Sequence, residues 1–145
     1  MKPELDGTWT GITKTWLDAD APPDEAKVSA TITTVVERWM RIAYTSTVAG
    51  KPHTGEMTFG FHKDPKQYEM ALIDTFHTGS SIMLSVGKPE AKTIDVLGSY
   101  AAGPERWGWR TVLETPSADV IVISSFNIEP SGTEYPAIET RLHRS

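Results

Sequence analysis

The chain contains no cysteine. Disulfides, thiolate nucleophiles and zinc–thiolate sites are therefore excluded, and the absence agrees with a reducing compartment. No segment approaches the roughly 20 apolar residues that a membrane-spanning helix needs. The opening Met1-Lys2-Pro3-Glu4-Leu5-Asp6 has no apolar run that could serve as a signal sequence. A cytoplasmic protein without a membrane partner is the expectation. Excess positive charge is also missing: the formal net charge is −5, which argues against nucleic acid as a partner. Helical periodicity is almost absent as well.

What is present is strand chemistry. The 145 residues, 39% hydrophobic and 23% charged, fit one domain with its own core. Between turn signals the chain is rich in Val, Ile, Thr, Trp, Tyr and Phe. Ten strands are predicted: Gly7–Leu17, Lys27–Val36, Arg38–Val48, His53–Phe61, Gln67–Asp74, Ser80–Val86, Thr93–Tyr100, Arg106–Leu113, Asp119–Asn127 and Glu134–Arg144. Val28, Ala30, Ile32, Thr34 and Val36 alternate on one face, as do Met57, Phe59 and Phe61. Period-two patterning of this kind puts one face against an interior.

The connections are short and carry Gly, Pro, Asp and Ser, as in Ala49-Gly50-Lys51-Pro52 and Lys63-Asp64-Pro65-Lys66. They suit hairpins and are too short for helical crossovers. Consecutive antiparallel strands can close on themselves and so remove exposed edges. The predicted fold is an all-β, closed, up-and-down barrel over residues 1–145, with an open sandwich as its rival. Alternate loops then lie at opposite ends. One end carries Asp18–Ala26, Ala49–Pro52, Thr75–Gly79, Ala101–Glu105 and Ile128–Thr133; it holds the longest loop and is taken as the mouth. The other carries the turn near Glu37, then His62–Lys66, Gly87–Lys92 and Glu114–Ala118.

Several stretches carry a family resemblance. Gly7-Thr8-Trp9-Thr10-Gly11 opens the first strand with the Gly-x-Trp pattern of lipocalin-like (calycin) barrels. Gly50-Lys51-Pro52-His53-Thr54-Gly55, Gly60-Phe61 and the run Ile73-Asp74-Thr75-Phe76-His77-Thr78-Gly79-Ser80-Ser81-Ile82-Met83 resemble an uncharacterised bacterial family, domain of unknown function 1579. Its members are similar to calycin barrels, and the likeness covers most of the chain. The resemblance implies the fold and supplies almost no function. It also implies that Trp9 plugs the closed end under an Arg from the last strand, here Arg141, both structural. A more distant similarity to nitrobindins, haem-binding barrels with a late proximal His, draws attention to His143. That position lies beyond the plug, so a frayed terminal residue is the better reading.

Among polar residues, Asp74 and His77 form the leading pair. A carboxylate can orient and charge-stabilise an imidazole for acid–base work, although the same residues suit a plain Asx-type turn. His53 lies at the same end. A metal site of His53, His77 and Asp74 is conceivable, but no HxH or HExxH-like pairing exists, so no metal site is expected. Trp107 and Trp109 share a face of Arg106-Trp107-Gly108-Trp109-Arg110. Inward they would stack on a flat apolar ligand or fill the core; outward they would suit a homodimer contact. Tyr44, Tyr68, Tyr100, Tyr135, Glu56 and Glu139 complete the polar supply. No nucleophile elbow, phosphate loop or paired carboxylates appear. The expectation is a barrel holding a small, partly apolar ligand in its central cavity, through Asp74, His77, Trp107, Trp109, Tyr44 and Tyr68. An acid–base enzyme and a haem barrel are the alternatives, and the sequence identifies no cofactor.

Overall fold

The structure, a computed structural model, describes residues 1–89 and 93–145. After a short 3-10 turn at Pro3–Leu5 come β1 (Gly7–Thr15), β2 (Asp24–Val35), β3 (Trp39–Val48), β4 (Lys51–His62) and β5 (Gln67–Asp74). They are followed by β6 (Met83–Gly87), β7 (Thr93–Ala102), β8 (Glu105–Ser117), β9 (Val120–Ile128) and β10 (Glu134–Arg144). Every strand pairs antiparallel with its chain neighbours, and β1 pairs with β10 to close the barrel. The closed up-and-down barrel is therefore the fold, and the sandwich is excluded.

Alternation decides what faces inward. On β5, Met70, Leu72 and Asp74 are buried while Glu69 and Ile73 are exposed. The same rule turns Ile42, Met57, Phe59, Ile94, Val96, Trp109, Leu113, Ile121 and Ile123 into one interior cluster. Trp109 thus points into the core, and a dimer contact through its indole is ruled out. Trp107 is half-buried on the same face.

Several boundaries differ from the sequence reading. Asp24, Glu25 and Ala26 belong to β2, opposite Thr15, Lys14 and Thr13, so the expected Asp18–Ala26 loop shrinks to residues 16–23. Glu25 sits outward, where it approaches Lys14 at 3.8 Å, while Asp24 stands opposite buried Thr15. β6 starts at Met83 rather than Ser80, because turns occupy the chain from Thr75 to Ser80. β8 runs on to Ser117 through a register shift after Glu114. Part of the expected Gly87–Lys92 connection lies outside the described residues.

The closed end is sealed as expected in kind but by a different arginine. Trp9 is fully buried and its Nε1 donates to the Leu5 carbonyl at 2.9 Å. The guanidinium over its ring belongs to Arg144, 4.4 Å from the centroid. Arg144 pairs directly with Trp9 across β1–β10, whereas Arg141 pairs with exposed Ile12 and faces solvent. The bulge between Pro136 and Ile138 sets this phase for the rest of β10. His143 is likewise on the outer face and exposed, so it cannot reach the interior as a haem ligand.

Candidate functional site

At the mouth end, β4 and β5 pair so that Gly55 stands opposite both Asp74 and Tyr44. A Cβ at Gly55 would occupy the space of the Asp74 side chain and the Tyr44 phenol. The glycine therefore lets two side chains from flanking strands meet over it.

Asp74 ends β5, and its two carboxylate oxygens do different jobs. Oδ1 accepts from the backbone N–H of Phe76 at 3.0 Å, of His77, and of Thr78 at 3.3 Å. That is an Asx-type turn, tightened by Thr78, whose hydroxyl accepts from Asp74 N–H at 2.8 Å and donates to its carbonyl at 3.1 Å. Oδ2 faces three side chains: Tyr44 Oη at 3.0 Å, His53 Nε2 at 2.8 Å and His77 Nδ1 at 3.0 Å. The sequence offered a turn role or an imidazole partner for Asp74, and the structure has both.

Burial opposes ionisation of Asp74, but the hydrogen bonds from His53 and His77 outweigh it and hold the carboxyl well below the usual carboxylate range. The Tyr44 phenol is pushed far above its ordinary value, first by burial and then by the Asp74 charge. An anion that can only accept then requires protons on Tyr44 Oη, His53 Nε2 and His77 Nδ1. His53 Nδ1 is buried and without a protein partner. The Asp74 and His53 side chains are almost wholly enclosed, and that of His77 is 10% exposed.

Aromatic rings wall the cluster. The His77 ring meets Phe76 and His53 edge-on, at 4.7 and 5.5 Å between centroids, and lies tilted against Trp109 at 5.2 Å. Trp109 is 3% exposed, with Nε1 lacking a protein partner. Tyr100 packs beside it and donates to Asn127 Oδ1 at 2.6 Å. Next to Tyr44 and His53 lies an enclosed cavity of about 30 Å³, edged by the hydroxyls of Thr13, Ser46, Ser125 and Thr140. That volume admits a water or two.

Of the residues singled out from sequence, Asp74, His77, Trp109 and Tyr44 come together, and His53 joins them. Tyr68 does not. It pairs with Phe61 and Gly87 at the closed end, its ring 5.3 Å from that of Phe61, about 20 Å along β5 from Asp74. Trp107 shares the inward face without joining the ring contacts. Thr78, Phe76 and Asn127 were not anticipated; an Asp followed four residues later by Thr was the available signal for the first. An open groove of about 750 Å³ also crosses the outer face of β1–β5, floored by small residues such as Ser29, Ala43 and Thr54. It is solvent-facing, and its lining reaches Tyr44, Gly55 and Asp74, so it borders this cluster.

Chemically, the cluster can hold His77 as an oriented acid or base, ligate a cation, or offer directed hydrogen bonds beside a flat apolar wall. Haem does not fit: the enclosed space is far below the several hundred cubic ångströms typical of ligand pockets, and His143 faces outward.

Closure, strand order and plug define a calycin-like barrel, and solved structures agree. Rv2717c from M. tuberculosis matches with a TM-score of 0.64 at 16% identity, covering 98% of this chain and 93% of that one. The S-type phycobiliprotein lyase CPES from Guillardia theta matches at 0.56 and 12% identity, covering 98% and 89%. A de novo designed fluorescence-activating β-barrel matches at 0.53 and 12%, covering 98% and 94%. At such identities the likeness concerns the fold alone. The chain belongs to the family described as protein of unknown function (DUF1579), which it matches over residues 3–144. No curated protein matches the sequence. Among the described residues, no helix is long and apolar enough to cross a membrane.

Proposed function

We propose that the protein binds a small, partly apolar molecule at the mouth end, against the side chains gathered round Asp74. The observation that carries this reading is the pair of buried ring nitrogens, His53 Nδ1 and Trp109 Nε1, that no protein group satisfies. Each such group costs about 1–3 kcal/mol when left alone, and a bound molecule or water is the usual reason it persists. Trp109 Nε1 can only donate, whereas His53 Nδ1 in the tautomer imposed by Asp74 can only accept. The ring of His77 lies between the two, in contact with both.

A fitting ligand therefore carries an acceptor for the indole N–H and a flat apolar portion for Trp109, Phe76 and Tyr100. The cavity beside His53 takes no more than a small polar group, so most of the ligand rests at the mouth rather than in the barrel's centre. A fragment screen read by NMR tests this. Binders should shift the Trp109 indole N–H and the His77 ring signals together, and Trp109→Phe, which removes one donor, should weaken them about 3- to 10-fold. Hits that map only to the outer groove or the Trp9 end would contradict the reading.

A further inference from the structure

The geometry points to a divalent-cation site formed by His53 Nε2, Asp74 Oδ2 and His77 Nδ1, with zinc as the best-matched ion. It shares side chains with the proposed binding site but does not depend on any organic ligand.

Three donor atoms of suitable chemistry lie within 4.8 Å of one another, one on β4, one at the end of β5 and one in the turn that follows β5. Around a tetrahedral zinc, with bonds near 2.0–2.1 Å, neighbouring ligand atoms sit about 3.3 Å apart. Here Oδ2 lies 2.8 Å from His53 Nε2 and 3.0 Å from His77 Nδ1. A retreat of a few tenths of an ångström by each ring would open the site.

The hydrogen-bond count favours a cation. Asp74 faces six donors: three backbone amides on Oδ1 and three side chains on Oδ2. A carboxylate offers about four lone-pair positions. One cation between Oδ2 and the two imidazoles replaces two of those donors and relieves the crowding. Oδ1 stays fixed by the turn, which is the kind of anchoring that orients a ligating carboxylate.

Ligation moves each imidazole proton to the ring's other nitrogen. For His53 that is Nδ1, the buried atom without a partner, on a residue that lines the same cavity as Ser46, Thr13 and Thr140, whose side chains carry hydroxyl oxygens. Those oxygens, or a water among them, can accept the N–H. Tyr44 Oη, 3.0 Å from Oδ2, keeps its hydrogen bond to the carboxylate only as a donor, because a carboxylate oxygen accepts. Two imidazoles and one carboxylate suit zinc above magnesium or calcium, and three protein ligands leave a coordination position open.

The test uses the full chain stripped with EDTA and then titrated with Zn²⁺ against a chelator of known affinity. The expected result is one Zn²⁺ per chain, a raised Tm, and a switch of the His53 and His77 tautomers in imidazole ¹⁵N spectra. Co²⁺ in place of zinc should give visible d–d bands. His77→Gln and His53→Gln should each weaken uptake on the order of 100-fold or more. His62→Gln, at the exposed pair with Glu69, should leave uptake unchanged. Preferential uptake of Fe²⁺ at the same residues would also support the site. His77 is the more exposed ligand, so its variant keeps the test valid should the His53 variant fail to fold. No retained ion, uptake unaffected by His77→Gln, or loss in His62→Gln would overturn the inference. Fragment binding to metal-free protein is read separately, so either idea can fail alone.

Discussion

At the scale of single residues, Asp74 carries the most. Its carboxylate is the only acceptor for Tyr44 Oη, His53 Nε2 and His77 Nδ1 among the described contacts. Asp74→Asn should cost about 3 kcal/mol at neutral pH in metal-free protein, because it leaves buried donors facing an amide. The acid limb gives the sign. The folded carboxyl lies below its ordinary value of 3.8, so its stabilisation is complete above that pH and is lost as pH falls further. Chemical denaturation across that window should show wild type converging on the Asn variant. A constant gap down to the lowest pH would contradict the assignment. Arg144 carries the other end. Arg144→Ala should cost about 1–2 kcal/mol, through its contact with Trp9 and its bonds to the Glu4 and Asp6 carbonyls. Arg141→Ala should stay within about 0.5 kcal/mol. Equal losses in a urea titration would show that the plug is misassigned.

At the scale of elements, strands were legible wherever alternation was strict, as in β2 and β4, and less so at their ends. Asp24 and Glu25 read as loop because carboxylates shun strands, yet at the barrel rim Asp24 stays half-exposed, Glu25 points to water, and the backbone of both pairs with β1. The Thr75–Ser80 turns were hidden because Asp74 and Thr78 close them through side-chain bonds that no periodicity reveals. Arg144, not Arg141, covers Trp9 because the bulge after Pro136 sets the phase of β10, and the position of that bulge is not read from alternation. The β2–β3 turn offers a test of turn chemistry. Val36 and Glu37 have φ of 49° and 67°, a left-handed pair that suits Asn-Gly far better than a β-branched residue. Val36→Asn with Glu37→Gly should raise stability by about 0.5–1 kcal/mol. A lowered Tm would mean that the turn is not of this type.

At the scale of the whole molecule, closure was legible because every hairpin link is short, and the two ends followed from counting loops. What fills the barrel was not legible. Met40, Met57, Phe59, Met70 and Leu72 converge from three strands, and only their packing together leaves about 30 Å³ beside His53 instead of an open cavity. That filling puts the proposed binding site at the rim and not in the barrel's centre. It also separates Tyr68, at the plugged end, from the other candidates. His53 belongs with Asp74 because β4 and β5 bring them together across 21 residues of sequence, a pairing that register makes and spacing conceals. The most direct measurement of the binding claim is native mass spectrometry of freshly purified full chain beside the Asp74→Asn and Trp109→Phe variants. Wild type should carry an organic adduct that both variants lose or weaken. A bare wild-type mass, or an adduct equally retained by both variants, would contradict the account.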